Sequence, residues 1–200
     1  MKSNKIIVIA GPSGVGKDTV IREVMNKFKS DQVTKLVSAT TRPMRRGEIN
    51  GKMYYFLSVE EFKNNIKKGL IPEYNKHAGN YYGIYLPDLK KKIDQNKIIF
   101  VQVQLVGAQY LKKEYGALTI FLKTASLEVL KERIKSRGSV SKKEAEERIQ
   151  IAKQEIKEES KFYDYIVINK QGELDQTVQK VLKIIKNYLE DKENNAKHSS

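Results

Sequence analysis

Gly11-Pro12-Ser13-Gly14-Val15-Gly16-Lys17 follows the apolar run Ile6 to Ala10 directly and opens an amphipathic segment from Thr19 to Phe28. A glycine-rich turn between a buried strand and a helix curls backbone N–H groups around one point, and a lysine at its end brings charge to that point. Phosphate oxygens suit such a cradle, with Lys17 reaching the terminal phosphates of a nucleoside triphosphate. The next position, where a hydroxyl residue commonly ligates magnesium, holds Asp18, and Thr19 comes one place late. Both are candidate magnesium ligands, Asp18 as a carboxylate for a hard cation.

Four short runs, Ile6 to Ala10, Ile98 to Val101, Leu118 to Leu122 and Tyr165 to Ile168, lack the alternation of half-exposed strands. Apolar on both faces, they suit a parallel sheet covered by helices. Helical spacing follows in Leu127, Leu130 and Ile134, and again from Leu174 through Val178, Val181, Leu182 and Ile185 to Leu189. The alternation predicts an α/β fold with a doubly wound parallel sheet. Residues 35–89 break the rhythm with clustered Arg, Gly and Tyr and one clear helical segment, Val59 to Lys68, so they are expected to form an insertion. A second, polar insertion over 137–159 carries a charged helix with Ala145, Ile149, Ala152 and Ile156 on one face. The expected organisation is a single domain with its core in 1–34, 90–136 and 160–190, and a disordered polar tail over 191–200.

Lys and Arg number 38 against 24 Asp and Glu, a net charge of +14, which calls for an anionic partner. The charge is lysine-rich and dispersed, without a compact aromatic and basic module, so no specific nucleic acid is expected. The absence of Cys excludes disulfides and thiolate metal sites, and two histidines, His77 and His198, cannot build a histidine metal cluster. The first apolar run is too short for a secretory signal or a membrane span, so a cytoplasmic protein without membrane association is expected.

A second constellation runs Ser38-Ala39-Thr40-Thr41-Arg42-Pro43-Met44-Arg45-Arg46-Gly47-Glu48, then Asn50-Gly51-Lys52-Met53-Tyr54, Glu73, and Gly79-Asn80-Tyr81-Tyr82-Gly83. Arginine forks and tyrosine hydroxyls suit a phosphate. In this order and spacing, and together with the Gly11 to Lys17 loop, the chain from Lys5 to about Leu189 resembles guanylate kinases. The resemblance implies a P-loop nucleoside-monophosphate (NMP) kinase fold in which 35–89 is the NMP-binding subdomain and 137–159 a short lid. It further implies ATP-dependent phosphorylation of GMP with Mg²⁺. Arg42, Arg45, Tyr54 and Tyr82 would hold the GMP phosphate, Ser38 and Glu73 would read guanine, and Arg133, Arg137 and Arg148 would close over the ATP phosphates. Asn169 would line the ATP site with the loop residues. For Glu73 the chemistry agrees independently, since guanine presents N1–H and a 2-amino group as donors to an acceptor-only carboxylate.

The chain departs from the family pattern at Asp18, at Ile84 where a small hydroxyl residue is usual, and at Lys170 where an Asp is usual. The largest departure is Gln102-Val103-Gln104 in place of Asp-x-Asp, at positions implied to lie between the two nucleotides on the GMP side. Two alternatives therefore stay open: a kinase of a related acceptor such as a ribose phosphate, whose loop the Lys17-Asp18 pair also resembles, and a catalytically weak nucleotide-binding module.

Overall fold

The computed structural model describes residues 5–77, 79–135 and 142–198. Arg137 and the start of the second insertion lie outside the described residues. Strand β1 (Ile6–Ala10) is buried along its whole length, and its alternate side chains feed two cores. Ile7 and Ile9 pack with Val20, Ile21 and Val24 of α1 (Lys17–Met25) and with Val178, Val181, Leu182 and Ile185 of α7 (Leu174–His198). Ile6, Val8 and Ala10 face Leu86 and Leu89 of α3 (Leu86–Asp94) and Ala108 and Leu111 of α4 (Leu105–Tyr115). Helices on both faces are what an all-apolar parallel strand requires.

The central sheet has five parallel strands in the order β2 (Val33–Lys35), β7 (Ile98–Val101), β1, β8 (Leu118–Lys123), β9 (Tyr165–Ile168). Only β2, three residues long, lacks a legible apolar run. β9 corrects the expectation of burial on both faces: Val167 is buried, whereas Tyr165, Ile166 and Ile168 are exposed. As the last strand in the order it pairs with β8 alone.

The first insertion forms a second sheet, in the order β4 (Tyr55–Phe56), β3 (Ala39–Thr40), β6 (Asn80–Gly83), β5 (Tyr74–His77). Its helix α2 (Val59–Lys67) starts at a capping box in which Ser58 and Glu61 exchange side-chain and backbone hydrogen bonds, and Phe62 anchors it on Ala39 and Ile71. The expected boundary at 89 falls inside α3, because Leu86 and Leu89 belong to the main core and Pro87 marks the helix start. In the second insertion, α6 (Lys142–Gln154) lays Ala145, Ile149 and Ala152 on Leu130 and Ile134 of α5 (Leu127–Lys135), as the apolar spacing predicts. A π-helical turn, Glu155–Glu159, follows. The tail differs from expectation too, since α7 continues to His198: its charged residues are good helix formers that need no burial, and Lys192 lies over the Tyr188 ring one turn back. Among the described residues no helix is long and apolar enough to cross a membrane.

The insertion is tied to the core by one buried acid. Asp88, 6% exposed, accepts hydrogen bonds from Val37 N–H (2.9 Å) and Tyr55 O–H (3.2 Å), and pairs with the Lys92 ammonium one turn along α3. Asp88→Ala leaves an amide and a phenol without their acceptor and strips the shielded Lys92 ammonium of its counter-charge, with only the Lys35 carbonyl (2.8 Å) still accepting from it, so it should cost about 3–5 kcal/mol in urea unfolding, the usual range for breaking a buried pair. A loss below about 1 kcal/mol would show that water replaces the carboxylate.

Candidate nucleotide site

The phosphate loop leaves β1 at Gly11, where φ is 138° and a Cβ would lie 2.2 Å from the carbonyl oxygen of Leu122. Any side chain there would push the loop off the sheet. Gly16 caps α1 in the left-handed region with φ 92°. Between them Val15 is fully buried and anchors the loop in the core, while its carbonyl accepts from Asn169 Nδ2 (2.8 Å) and Arg133 Nη1 (3.4 Å). Arg133 also reaches Asn169 O (3.4 Å) and Gln171 Oε1 (3.2 Å). Gly14, Gly16, Thr19, Arg133, Asn169 and Gln171 thereby enclose a recess of about 350 Å³ on this side of the loop. The Lys17 ammonium donates to the carbonyls of Gly11 (2.6 Å) and Pro12 (3.0 Å).

On the other side a cleft of about 810 Å³ separates the loop from the inserted sheet and α6. Ser13, Lys17, Asp18 and Thr19 line it from the loop and α1, and Ser38, Tyr54, Glu73 and Tyr82 from the insertion. Gln102 and Gln104 enter from the end of β7, and Arg148 from α6. Residues more than a hundred positions apart in sequence thus share one space. Asp18 faces water, with its side chain 84% exposed and Lys35 Nζ 3.4 Å away.

Arg42 and Arg45 are not among the lining residues. Arg42 Nη2 donates to Glu48 Oε1 (2.7 Å), and its guanidinium lies 5.7 Å from the Tyr54 ring centre and 5.4 Å from that of Phe56. The hydrogen bond to Glu48 is the main cause that raises the Arg42 pKa, and in turn holds the Glu48 carboxyl below the usual carboxylate range. Arg45 has a backbone N–H on Glu48 Oε2 (2.7 Å). Glu48, to which sequence reasoning gave no role, is therefore the acid that organises the arginine block. Behind the cleft wall Tyr54 meets Tyr82 edge-on at 5.9 Å. Burial raises the Tyr54 pKa, so its hydroxyl stays protonated as a donor.

Glu73 is 7% exposed, and among the described residues its carboxylate has no hydrogen-bond or ion-pair partner, while its backbone carbonyl accepts from Ile84 N–H (3.3 Å). Burial pushes its pKa up to about 7. Two neighbours escaped the sequence analysis. Asn75, two residues on along β5 and so on the same face, donates to Gln104 Oε1 (2.6 Å) and joins the insertion to the end of β7. Gly107 on α4 supports the Glu73 carboxylate from behind. The strand period signals the first; nothing in sequence signals the second. Ile84 lies fully buried in the core beside Leu36 and Leu89, so this departure from the family pattern is a packing substitution.

The guanylate kinase family model matches residues 3–188. The guanylate kinase of Prochlorococcus marinus subsp. pastoris is 39% identical over 91% of this chain and 97% of its own length. That of Enterococcus faecalis is also 39% identical, over 90% of this chain and 87% of its own. The crystal structure of guanylate kinase from Anaplasma phagocytophilum superposes with a TM-score of 0.69 at 26% identity, covering 94% of this chain and 87% of that one.

The environment of Glu73 is open to direct measurement. A Cβ on Gly107 would come 2.7 Å from Glu73 Oε2 and 2.9 Å from the Cβ of Val103. The carboxylate is the freer of the two neighbours, so Gly107→Ala should drive it toward the cleft and water. Burial is what raises this pKa, so carbon-detected NMR titration should find it falling from about 7 toward the usual carboxylate range. An unchanged titration would mean that α4, rather than Glu73, yields.

Proposed function

This chain belongs to the guanylate kinase family, and we propose that it phosphorylates GMP to GDP with ATP, by in-line transfer of the γ-phosphoryl group across the large cleft. One observation carries the reading: the phosphate-loop ammonium of Lys17 and the buried, partnerless carboxylate of Glu73 open into the same cleft. A loop for a triphosphate and an acceptor-only group for a base with two adjacent donors together describe a kinase whose acceptor carries guanine.

In this mechanism ATP lies along the loop, its phosphates on the amides of residues 11–17 and its base toward the recess beside Arg133 and Asn169. GMP enters from the inserted sheet. Glu73 accepts from N1–H and the 2-amino group, with Ser38 beside it. Adenine offers an acceptor at N1, leaving the carboxylate unpaired, and an unpaired buried acid discriminates far more strongly than a lost methyl contact. Tyr54 and Tyr82 donate to the GMP phosphate. Arg42, held by Glu48 behind Tyr54, and Arg45 supply the charge that lets a dianion approach the ATP phosphates. Arg148, Arg133 and Arg137 stabilise charge on the transferring group once the lid has excluded water. The acceptor phosphate is itself the nucleophile, so orientation and charge masking suffice, without a covalent enzyme intermediate.

The donor set fits a magnesium ion that arrives with ATP. Asp18, Thr19 and the amide oxygens of Gln102 and Gln104 offer hard oxygen ligands along the cleft, and among the described residues no group of three acids or histidines forms a dedicated cage. Such an ion keeps phosphate oxygens and water for most of its shell. Asp18 and Thr19 would hold it from the loop side, where it would supply positive charge to offset that of the ATP phosphates. A cytoplasmic location accords with a consumer of two nucleotides.

A coupled ADP-release assay with GMP, dGMP, AMP, UMP and ribose phosphates, run with Mg²⁺ and Mn²⁺, tests the reading. GMP is expected to be the best acceptor; preference for a ribose phosphate would overturn it. The neutral end of β7 generates a second expectation. Gln102→Asp with Gln104→Asp should raise kcat for GMP by about tenfold, or ~1.4 kcal/mol, because charge near the metal matters most when both phosphates are present and water is excluded. ATP affinity without acceptor should change little. A fall in kcat would mean that the two amides, with Asn75, are tuned to this chain's own geometry.

A further inference from the structure

The lid carries a carboxylate to which no role above is assigned. Glu155 opens the π-helical turn after α6, three residues beyond Ala152 in the apolar seam with α5. That spacing turns it inward, and it lines the large cleft together with Lys17, Arg148, Glu159 and Tyr163. Its Oε2 is buried with no hydrogen-bond partner among the described residues. A carboxylate oxygen shut away from water without a donor carries an uncompensated desolvation penalty. π-helical turns interrupt α-helices most often where a side chain must be re-aimed for function.

The surroundings identify the missing donor. Burial is the largest influence on Glu155 and pushes its pKa up to about 6; Lys17 of α1 opposes that rise and Glu159, on the same turn, adds to it. Tyr163, just past the turn, is itself held protonated by burial first and then by the charges of Glu159 and Glu155. Lys17 is thus the cation whose field reaches Glu155, and it donates to the loop carbonyls of Gly11 and Pro12.

We propose that Glu155 is a positioning residue for Lys17: when the triphosphate draws the ammonium off the loop carbonyls, Glu155 accepts one of its N–H groups and holds it against the β- and γ-phosphates. The inference rests on the proposed kinase reading. An ammonium is a compact charge with freely rotating donors, so without a second anchor it has no fixed direction toward the transferring group. A carboxylate supplied by the lid gives that anchor only when the lid is down. Closure and correct placement of Lys17 then become one event, and the charge-assisted hydrogen bond satisfies the orphaned oxygen.

The test compares the full chain with Glu155→Gln and Glu155→Asp at saturating GMP, between about pH 5 and about pH 8. Saturation removes the titration of Glu73 from the comparison, and the nucleotides' own phosphates titrate identically in all three proteins. The acid form of Glu155 is neutral and a much weaker acceptor for Lys17, which itself lowers the carboxyl's pKa, so the parent should lose kcat as pH falls to about 6 and below. Glu155→Gln should lower kcat about tenfold above that pH, leave KM for GMP unchanged, and lack the acid limb. Glu155→Asp keeps the charge on a shorter arm and should keep the limb with an intermediate kcat. Urea unfolding should find Glu155→Gln at least as stable as the parent, since it removes a buried carboxylate without a donor. A Gln variant with parental kcat and the parental pH profile overturns the proposal. Equilibrium ATP binding without acceptor makes the test independent of the GMP reading. Parent affinity should weaken below about pH 6 and that of Glu155→Gln should not; matching pH dependences would overturn the role of Glu155 even in a protein that phosphorylates no GMP.

Discussion

The approach of Gly11 to the Leu122 carbonyl constrains everything built above it. β1 and β8 run parallel with Ala10 opposite Phe121, and β8 continues through Leu122 and Lys123 where β1 ends, so the segment leaving β1 passes directly against the Leu122 carbonyl. The glycine allows β1 to turn there at once, and Val15, buried in the core below, sets how far the turn rises. Asn169 at the end of β9 and Arg133 on α5 then grip the Val15 carbonyl. The phosphate cradle therefore rests on the carboxyl ends of three neighbouring strands. That is where an open parallel sheet collects the positive ends of its helices and where α/β folds receive ligands.

The dispersed charge of +14 says little about how the cleft is polarised, because five acids line it, and Glu48, Glu73 and Glu155 among them stand in different states. Glu48 is paired, and its role is to fix Arg42 behind the tyrosine wall. Glu73 is buried and Glu155 half-buried, both without such pairing, and burial raises both of their pKa values into the range where binding a donor decides whether they are charged. Glu73 comes from the insertion and Glu155 from the turn after α6. At the end of β7, between them, the side chains are neutral amides, and Gln104 is already engaged with Asn75. At Glu73 and Glu155 negative charge thus depends on ligands or side chains that supply donors, in contrast to a strand end carrying permanent carboxylates.

The parts legible in the sequence were those with a strong local signature. Four of the five central strands are continuous apolar runs, the loop sits between a strand and a helix, and Ala145, Ile149 and Ala152 repeat at helical spacing. β2, β3 and β4 are two or three residues long, too short for a period to declare itself. Burial of β9 was misjudged because an apolar run does not tell an edge strand from a central one. The end of α7 was missed because polarity is equally compatible with a solvated helix. Ser38, Tyr54, Glu73 and Tyr82 were found through a family pattern, whereas Asn75, Gly107 and Glu155 act through contacts with distant segments that no local rule anticipates.

Four separate apolar clusters give the parts around the cleft cores of their own. Ala39, Phe62 and Ile71 form a small core within the insertion, and Leu130, Ile134, Ala145, Ile149 and Ala152 form another under the lid, both distinct from the two cores flanking the main sheet. A body with its own core can rotate without unpacking its neighbour's. Leu36 and Ile84 at its ends enter the main core, and otherwise the insertion meets that core through polar contacts, above all Asp88 with Val37 and Tyr55, which tolerate angular change better than interdigitated side chains. Ser38 follows Val37 directly, so a residue proposed to read the base sits one peptide from the hydrogen bond to Asp88. On the proposed reading, closing on GMP and presenting it to the phosphate loop would be the same rotation, and the small sheet that carries Tyr82, with Tyr54 and Glu73 immediately before β4 and β5, keeps their mutual geometry fixed.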